Sequence, residues 1–238
     1  EVDAYRACAT SAMRDAANGK EVIETITRKS GIRIDIINGE EEARLVYDNH
    51  IEYLADKNAD YIYVDVGGGS TEISLIHQGI LRSSRSYNIG TVRLLKGKVV
   101  PSVYNRLKRD LNKLREQYPV ITIIGSGGNI NKLFRLAKLP AKNKMTLPVE
   151  KLVQLNNTLK NYSLEERARL YNLKPDRADV ITNAADIFLL VAEHTQAKHI
   201  VVPPIGLVDG IIDSLYLQHH KTPEEQIPLP PTTGDENT

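Results

Sequence analysis

Apolar and polar positions along this chain follow two periods, near two residues and near 3.6. The two alternate often enough to predict an α/β protein. Asp3 to Met13 reads as a strand leading into a turn at Arg14, Asp15 and Ala16. Asn18 and Gly19 precede a helical pattern with Val22, Ile23 and Ile26 on one face, which Gly31 ends. Ile32 to Ile37 is a short β-type run. Asn38 is placed to cap a helix that runs through Leu45, Val46 and Ile51 to about Leu54. The polar stretch Ala55 to Asp60 marks a boundary before a fresh sheet. Tyr61 to Leu75, YIYVDVGGGSTEISL, predicts a strand, a tight glycine turn and a second strand. With a third β-type run at Ile80 to Ser86, this predicts an antiparallel meander.

Farther on, Ser102 to Tyr118 is helical, with Val103, Leu107, Leu111 and Leu114 at helical spacing. Val120 to Ile124 predicts a buried strand that ends in Gly125, Ser126, Gly127 and Gly128. There a helix carrying Ile130, Leu133, Phe134 and Leu136 begins. Three helical segments fill Val149 to Thr195. Ile200 to Val202 is a strand stopped by Pro203 and Pro204, and Gly206 opens a last helix to about Leu217. The tail from Lys221 to Thr238 is rich in Pro, Thr and acids and is expected to lack fixed structure.

Composition alters this picture in one place. Hydrophobic residues at 41% and charged residues at 26% of 238 fit a soluble globular protein. The one cysteine, Cys8, excludes an intrachain disulfide. With no bilayer-length apolar run and no signal-peptide pattern, the cytoplasm is the expected compartment. The net charge of +1, however, hides a basic segment: Arg82 to Lys144 holds 15 Lys and Arg against only Asp110 and Glu116. Such a segment attracts polyanions if its side chains share a face, and otherwise supplies solvated helix faces. His77, His194, His199, His219 and His220 are too scattered to form a metal set.

The candidate chemistry begins at the glycine turn. Gly67, Gly68 and Gly69 allow φ > 0 and close backbone approach to an anion, with Ser70 and Thr71 adding hydroxyls. Asp65 and Glu72 flank the turn, which suggests a metal-assisted phosphate site. A second glycine turn, Gly125 to Gly128, opens a helix, and helix N-termini bind phosphate. It matches neither the P-loop spacing nor the last glycine of GxGxxG. Glu40, Glu41 and Glu42 either favour a helix start or supply a general base. Asp65 and Glu72 would raise the pKa of such a base by repulsion. Arg14, after Thr10 and Ser11, is either an exposed arginine or a bidentate phosphate contact.

Taken together, ATSAMRDA, INGEEEARLVY, VDVGGGSTEIS, NIGTVRL, GSGGNINKL, RADVITNAADIFL and IGLVDGIIDSLY resemble the exopolyphosphatase and guanosine pentaphosphate phosphatase family. That family lies in the superfamily of sugar kinases, actin and the heat-shock chaperone ATPases. The resemblance implies an α/β fold of the actin-like, ribonuclease H-like two-domain type. Residues 1–55 would be the C-terminal half of an incomplete first domain, 56–220 the second domain and 221–238 a disordered tail. It implies a Mg²⁺-dependent hydrolase that frees terminal phosphate from inorganic polyphosphate. The alternatives are guanosine pentaphosphate (pppGpp) hydrolysis, or a non-catalytic module that binds an alarmone or nucleotide. Glu42 resembles the water-activating base, and Asp65 and Glu72 the carboxylates that bind Mg²⁺ or place that water. Gly67, Gly68, Ser70 and Thr71 match the phosphate turn, Gly127 and Gly128 the second loop, and Arg14 a phosphate-contacting arginine. The family's first phosphate loop has no counterpart in this sequence, so weak binding or inactivity is expected of the chain alone. No membrane and no specific nucleic acid is expected as a partner, and a homodimer is allowed.

Overall fold

A computed structural model describes residues 2–39, 41–42, 44–45, 56, 58–140, 145–204 and 206–220. The expected helix beyond Leu45, Ala55 and Lys57 of the expected boundary, and the tail from Lys221 lie outside the described residues.

A two-stranded parallel sheet opens the chain. β1 (Ala7–Ala9) pairs with β2 (Ile34–Ile36), with Cys8 opposite Asp35. The expected strand to Met13 stops short, because its partner supplies only three residues. Helix α1 (Ser11–Arg14) follows instead, with the N–H groups of Met13 and Arg14 donating to Thr10 O. Ala12, Met13 and Arg14 are good helix formers, which favours this ending. Arg14 therefore ends a helical turn, not a strand. α2 (Gly19–Ser30) ends where expected, at Gly31, whose φ of 74° and N–H bond to Thr27 O make a left-handed cap.

The second sheet has six strands in the order β5-β4-β3-β6-β8-β7. β3 (Asp60–Val66), β4 (Thr71–His77) and β5 (Ile80–Tyr87) form the predicted antiparallel meander. β6 (Ile121–Ser126) runs parallel to β3, and β8 (His199–Val201) parallel to β6. β7 (Thr146–Pro148) closes the edge, antiparallel to β8. Three residues carry no readable period, so β7 was not legible; its proline is tolerated because the strand is an edge.

Side chains alternate across this sheet and give it two faces. Ile62, Val64, Val66, Ile73 and Leu75 pack under the helices, while Tyr61, Tyr63, Ile76 and Ile124 cluster on the other face. The helices are α3 (Thr91–Leu95), α4 (Pro101–Gln117), α5 (Gly128–Leu136), α6 (Val149–Lys160), α7 (Leu164–Leu170), α8 (Pro175–Ala178), α9 (Ile181–Thr195) and α10 (Leu207–His220). The chain from Val149 to Thr195 thus forms four helices rather than three, and α3 is additional to the sequence reading. Both α3 and α8 are too short to show a period. Within α9, Ile181, Ala184, Ala185, Ile187, Phe188 and Val191 are fully buried. A helix apolar on most sides is one that other elements surround. None of the helices among the described residues is long and apolar enough to cross a membrane.

Phe188 is the largest fully buried side chain. Phe188→Ala is expected to cost about 3–5 kcal/mol through lost burial and a residual cavity. Urea unfolding checks this, and a cost under about 1 kcal/mol would mean that α9 is not central to the core.

Candidate active site

The hairpin register sets two carboxylates face to face. Asp65, near the end of β3, pairs with Glu72, near the start of β4, and on its other side lies level with Ser126 of β6. Three glycines and Ser70 close the turn between them. Gly67 N–H bonds Ser70 O at 3.0 Å. Gly67, Gly68 and Gly69 do not take the positive φ anticipated for them; in the second glycine turn Gly127 does, at 104°. Their small size serves close approach instead. Thr91 N–H donates to Gly67 O, while Val92 and Arg93 N–H both donate to Gly68 O. A Cβ on Gly90 would stand 2.4 Å from Gly68 O. The start of α3 is thus seated directly on the turn, whose carbonyls cap it.

The hydroxyls of the turn already have protein acceptors. Ser70 Oγ donates to Glu72 Oε1 at 2.6 Å, and Ser86 Oγ from β5 donates to the same oxygen at 2.9 Å. Thr71 Oγ1 donates to Ile89 O. Ser70 and Thr71 therefore hold the turn and its acid through their side chains. Arg93 Nε donates to Gly69 O at 2.8 Å, and its Nη2 lies 3.2 Å from Asp15 Oδ2. Sequence reasoning passed over Arg93 although it stands in NIGTVRL. It also missed Ser86: counting the hairpin register from the turn would place Arg85 opposite Glu72, and the irregularity between Leu75 and Ile76 shifts the pairing to Ser86.

Glu42 approaches from the first unit. Asn38 caps its helical turn as expected, with Oδ1 accepting from Glu41 N–H at 2.8 Å. The structure also separates the neighbouring acids: Glu41 pairs with Arg6 at 2.5 Å, whereas Glu42 is 8% exposed and its Oε2 has no hydrogen-bond partner among the described residues. Burial first, then the charges of Glu72 and Asp65, push its carboxyl up to about 7; Arg14 opposes them. Arg14 Nη1 lies 3.9 Å from Glu42 Oε2 and donates to Ile37 O at 2.8 Å. Asp65 is likewise raised to about 7, by burial and then by Glu72. Glu42, Asp65 and Glu72 therefore share one electrostatic environment.

The second loop completes the wall. A Cβ on Gly127 would stand 3.1 Å from Asp65 Oδ1, and one on Gly128 would stand 2.9 Å from Arg177 Nη2. Asp65 thus abuts the start of α5, and Arg177 of α8 reaches the same loop. Arg177 is a second cation missed from the sequence, where RADV gave no sign of a return to this loop.

The donor set fits Mg²⁺. Asp65 and Glu72 are hard oxygen donors level with each other, and Mg²⁺ is commonly held by one or two carboxylates plus water and phosphate. Among the described residues no group of three or more His, Cys, Asp or Glu forms a complete protein cage. A cation at these carboxylates would offset the repulsion that raises Asp65 and Glu42.

Residues 1–219 match the Ppx/GppA phosphatase family. The chain is 25% identical over 239 residues to a guanosine-5'-triphosphate,3'-diphosphate pyrophosphatase of Photobacterium profundum, covering 93% of this chain and 47% of that protein. It is 28% identical over 238 residues to exopolyphosphatase 2 of Mycobacterium tuberculosis, covering 88% of this chain and 74% of that one. It therefore spans about half the length of the first relative and about three quarters of the second. Among solved structures, the Aquifex aeolicus member of the Ppx/GppA family superposes with a TM-score of 0.68 at 27% identity, over 91% of this chain and 75% of that chain. An exopolyphosphatase from Cytophaga hutchinsonii superposes with a TM-score of 0.76 at 20% identity, over 91% and 75%, a likeness of fold alone. The α/β, actin-like architecture expected from the sequence agrees with these neighbours.

The raised carboxyls give stability a defined pH dependence. Folded Glu42 keeps a proton that the unfolded chain releases near pH 4.5. Its contribution to stability is thus present below that pH and is lost as pH rises through about 7. Without divalent cations, Glu42→Gln is expected to gain stability relative to the parent by on the order of 2–3 kcal/mol between pH 4.5 and 8. Parallel stability curves for the two would contradict this. Arg93→Ala is expected to cost about 1–2 kcal/mol by removing the charge-assisted bond to Gly69 O, checked by thermal unfolding.

Proposed function

This chain belongs to the Ppx/GppA phosphatase family, and from that premise we propose that it serves a phosphoanhydride hydrolase releasing terminal phosphate from inorganic polyphosphate. One observation carries the reading: Glu42 is a buried carboxyl raised to about 7, with an oxygen that no hydrogen-bond donor among the described residues engages, beside Asp65 and Glu72. A base whose pKa lies near the working pH is both unprotonated often enough and strong enough to take a proton.

In the proposed reaction Glu42 Oε2 accepts a proton from water as the water oxygen attacks the terminal phosphorus in line. The new P–O bond forms while the bond to the bridging oxygen breaks, and the shortened chain departs with that oxygen. The Gly67–Thr71 turn and the Gly127–Gly128 loop line the phosphoryl group, where fixed N–H groups stabilise its spread charge. Asp65 and Glu72 would hold Mg²⁺, which when bound offsets the charge on the phosphoryl oxygens. Ser70 and Ser86 keep Glu72 oriented for this. Arg14 and Arg177 supply cations near the two walls.

Polyphosphate is favoured over a nucleotide substrate by the positive approach to the turn. Arg93 lies among the α3 residues seated against it, and Lys96 and Lys98 follow them; a row of cations suits a chain substrate. The name of the Photobacterium relative favours pppGpp instead. Phosphate release by the full-length protein with Mg²⁺, compared on both substrates, tests the choice; much faster turnover of pppGpp would overturn it. Tight binding of either without release would point to a sensor. Glu42→Gln is expected to lower kcat by about 10²–10⁴-fold, and full activity in that variant would remove Glu42 as the base.

A further inference from the structure

The basic segment also builds a feature that the proposed reaction does not use. On the face of the meander opposite Glu72, a recess of about 340 Å³ opens between β4, β5 and α4. Its position follows from strand alternation: Ile73 and Leu75 line it, so Glu72, the residue before Ile73, faces the other way with Ser74. The recess is therefore separate from the candidate active site. Its size falls within the range of small-molecule pockets.

Its walls differ in chemistry. Ile73, Leu75 and Leu114 make an aliphatic floor, and the Tyr118 ring extends it. Above the floor stand Arg82 and Arg85 from β5 and Lys113 from α4. One acid, Asp110, offsets them, and it is already engaged. Arg85 Nη1 lies 2.9 Å from Asp110 Oδ2, and Tyr87 OH donates to the same oxygen at 2.8 Å. Burial works against the charge of Asp110, but the Tyr87 and Arg85 bonds hold its carboxyl below the usual range, so it stays ionised. The recess keeps an excess of positive charge, and among the described residues Arg82 and Lys113 have no salt-bridge partner.

We propose that this recess is a second ligand site, and that it binds a nucleotide. An inorganic phosphate chain would satisfy the cations but lose hydration against Ile73, Leu75 and Leu114. A purely apolar ligand would leave the cations unmatched. A nucleotide meets both walls, with its base over the floor and beside Tyr118 and its phosphates on Arg82 and Lys113. Gln117, also in the lining, offers a donor and an acceptor to a base edge.

The test uses the full chain without divalent cations, titrated with GTP and separately with inorganic tripolyphosphate. Binding is followed at the backbone amide signals of Gln117 and Tyr118 by NMR. GTP is expected to shift these signals at least tenfold more tightly than tripolyphosphate. The double variant Arg82→Ala, Lys113→Ala is expected to weaken GTP at these signals at least tenfold, with phosphate release from polyphosphate within twofold of the parent. Equal affinity for the two anions would overturn the nucleotide assignment. An unchanged GTP affinity in the double variant, or shifts confined to the Asp65–Glu72 hairpin and Gly127–Gly128, would overturn the site. Because the readout is binding at a separate face, it stands whether or not the chain releases phosphate.

Discussion

Three carboxylates are held near one another, and Glu42 and Glu72 among them are buried from water. The rest of the site is organised around that repulsion. Burial alone disfavours an ionised acid, and a second acid nearby disfavours it further. The protein leaves Glu42 and Asp65 with raised carboxyls near neutrality, while two serine hydroxyls are directed at Glu72 Oε1. This arrangement is poor as a structural device. A buried acid without a matched partner costs stability, and hydrophobic residues would fill the space more favourably. It suits the cation-binding and proton-transfer roles proposed for it.

The fold delivers these groups through contacts that tolerate little change. The glycine turn is clamped between α3, which it caps, and α1, whose Ser11 Oγ would lie 3.4 Å from a Cβ on Gly69. Arg93 joins the turn to Asp15, the residue after Arg14, and Arg14 in turn lies beside Glu42. A continuous path of contacts thus links Glu42 on the first unit to the glycine turn on the second. Movement between the two units would change the distance from Glu42 to Asp65 and Glu72, and with it the acidity of Glu42.

Much of this was legible in the sequence because it depends on local pattern. The alternation around Asp65 and Glu72 fixed the hairpin and put both acids at one end of it. Asn38 and the three glutamates marked a capped helix start, and GSGG marked a strand-to-helix junction. What could not be read depends on tertiary approach. Arg14 was expected after a strand, but its strand ends early for want of a longer partner. The glycines were expected to supply positive φ, yet they serve the close seating of α3, an element too short to show a period. The repulsion on Glu42 was anticipated, but burial, which outweighs it, became visible only once the site was assembled. Arg177 reaches the second loop from about 50 residues away along the chain, and no spacing rule encodes that.

The central claim is that convergence with Asp65 and Glu72 in a buried setting makes Glu42 a base suited to neutral pH. The most direct measurement is the titration of the Glu42 carboxyl by carbon-13 NMR, in the parent chain and in Asp65→Asn, without divalent cations. A midpoint near 7 in the parent, lower in the variant, is the predicted result. A midpoint near 4.5 in both would mean that the three carboxylates do not share a site, and would contradict the account.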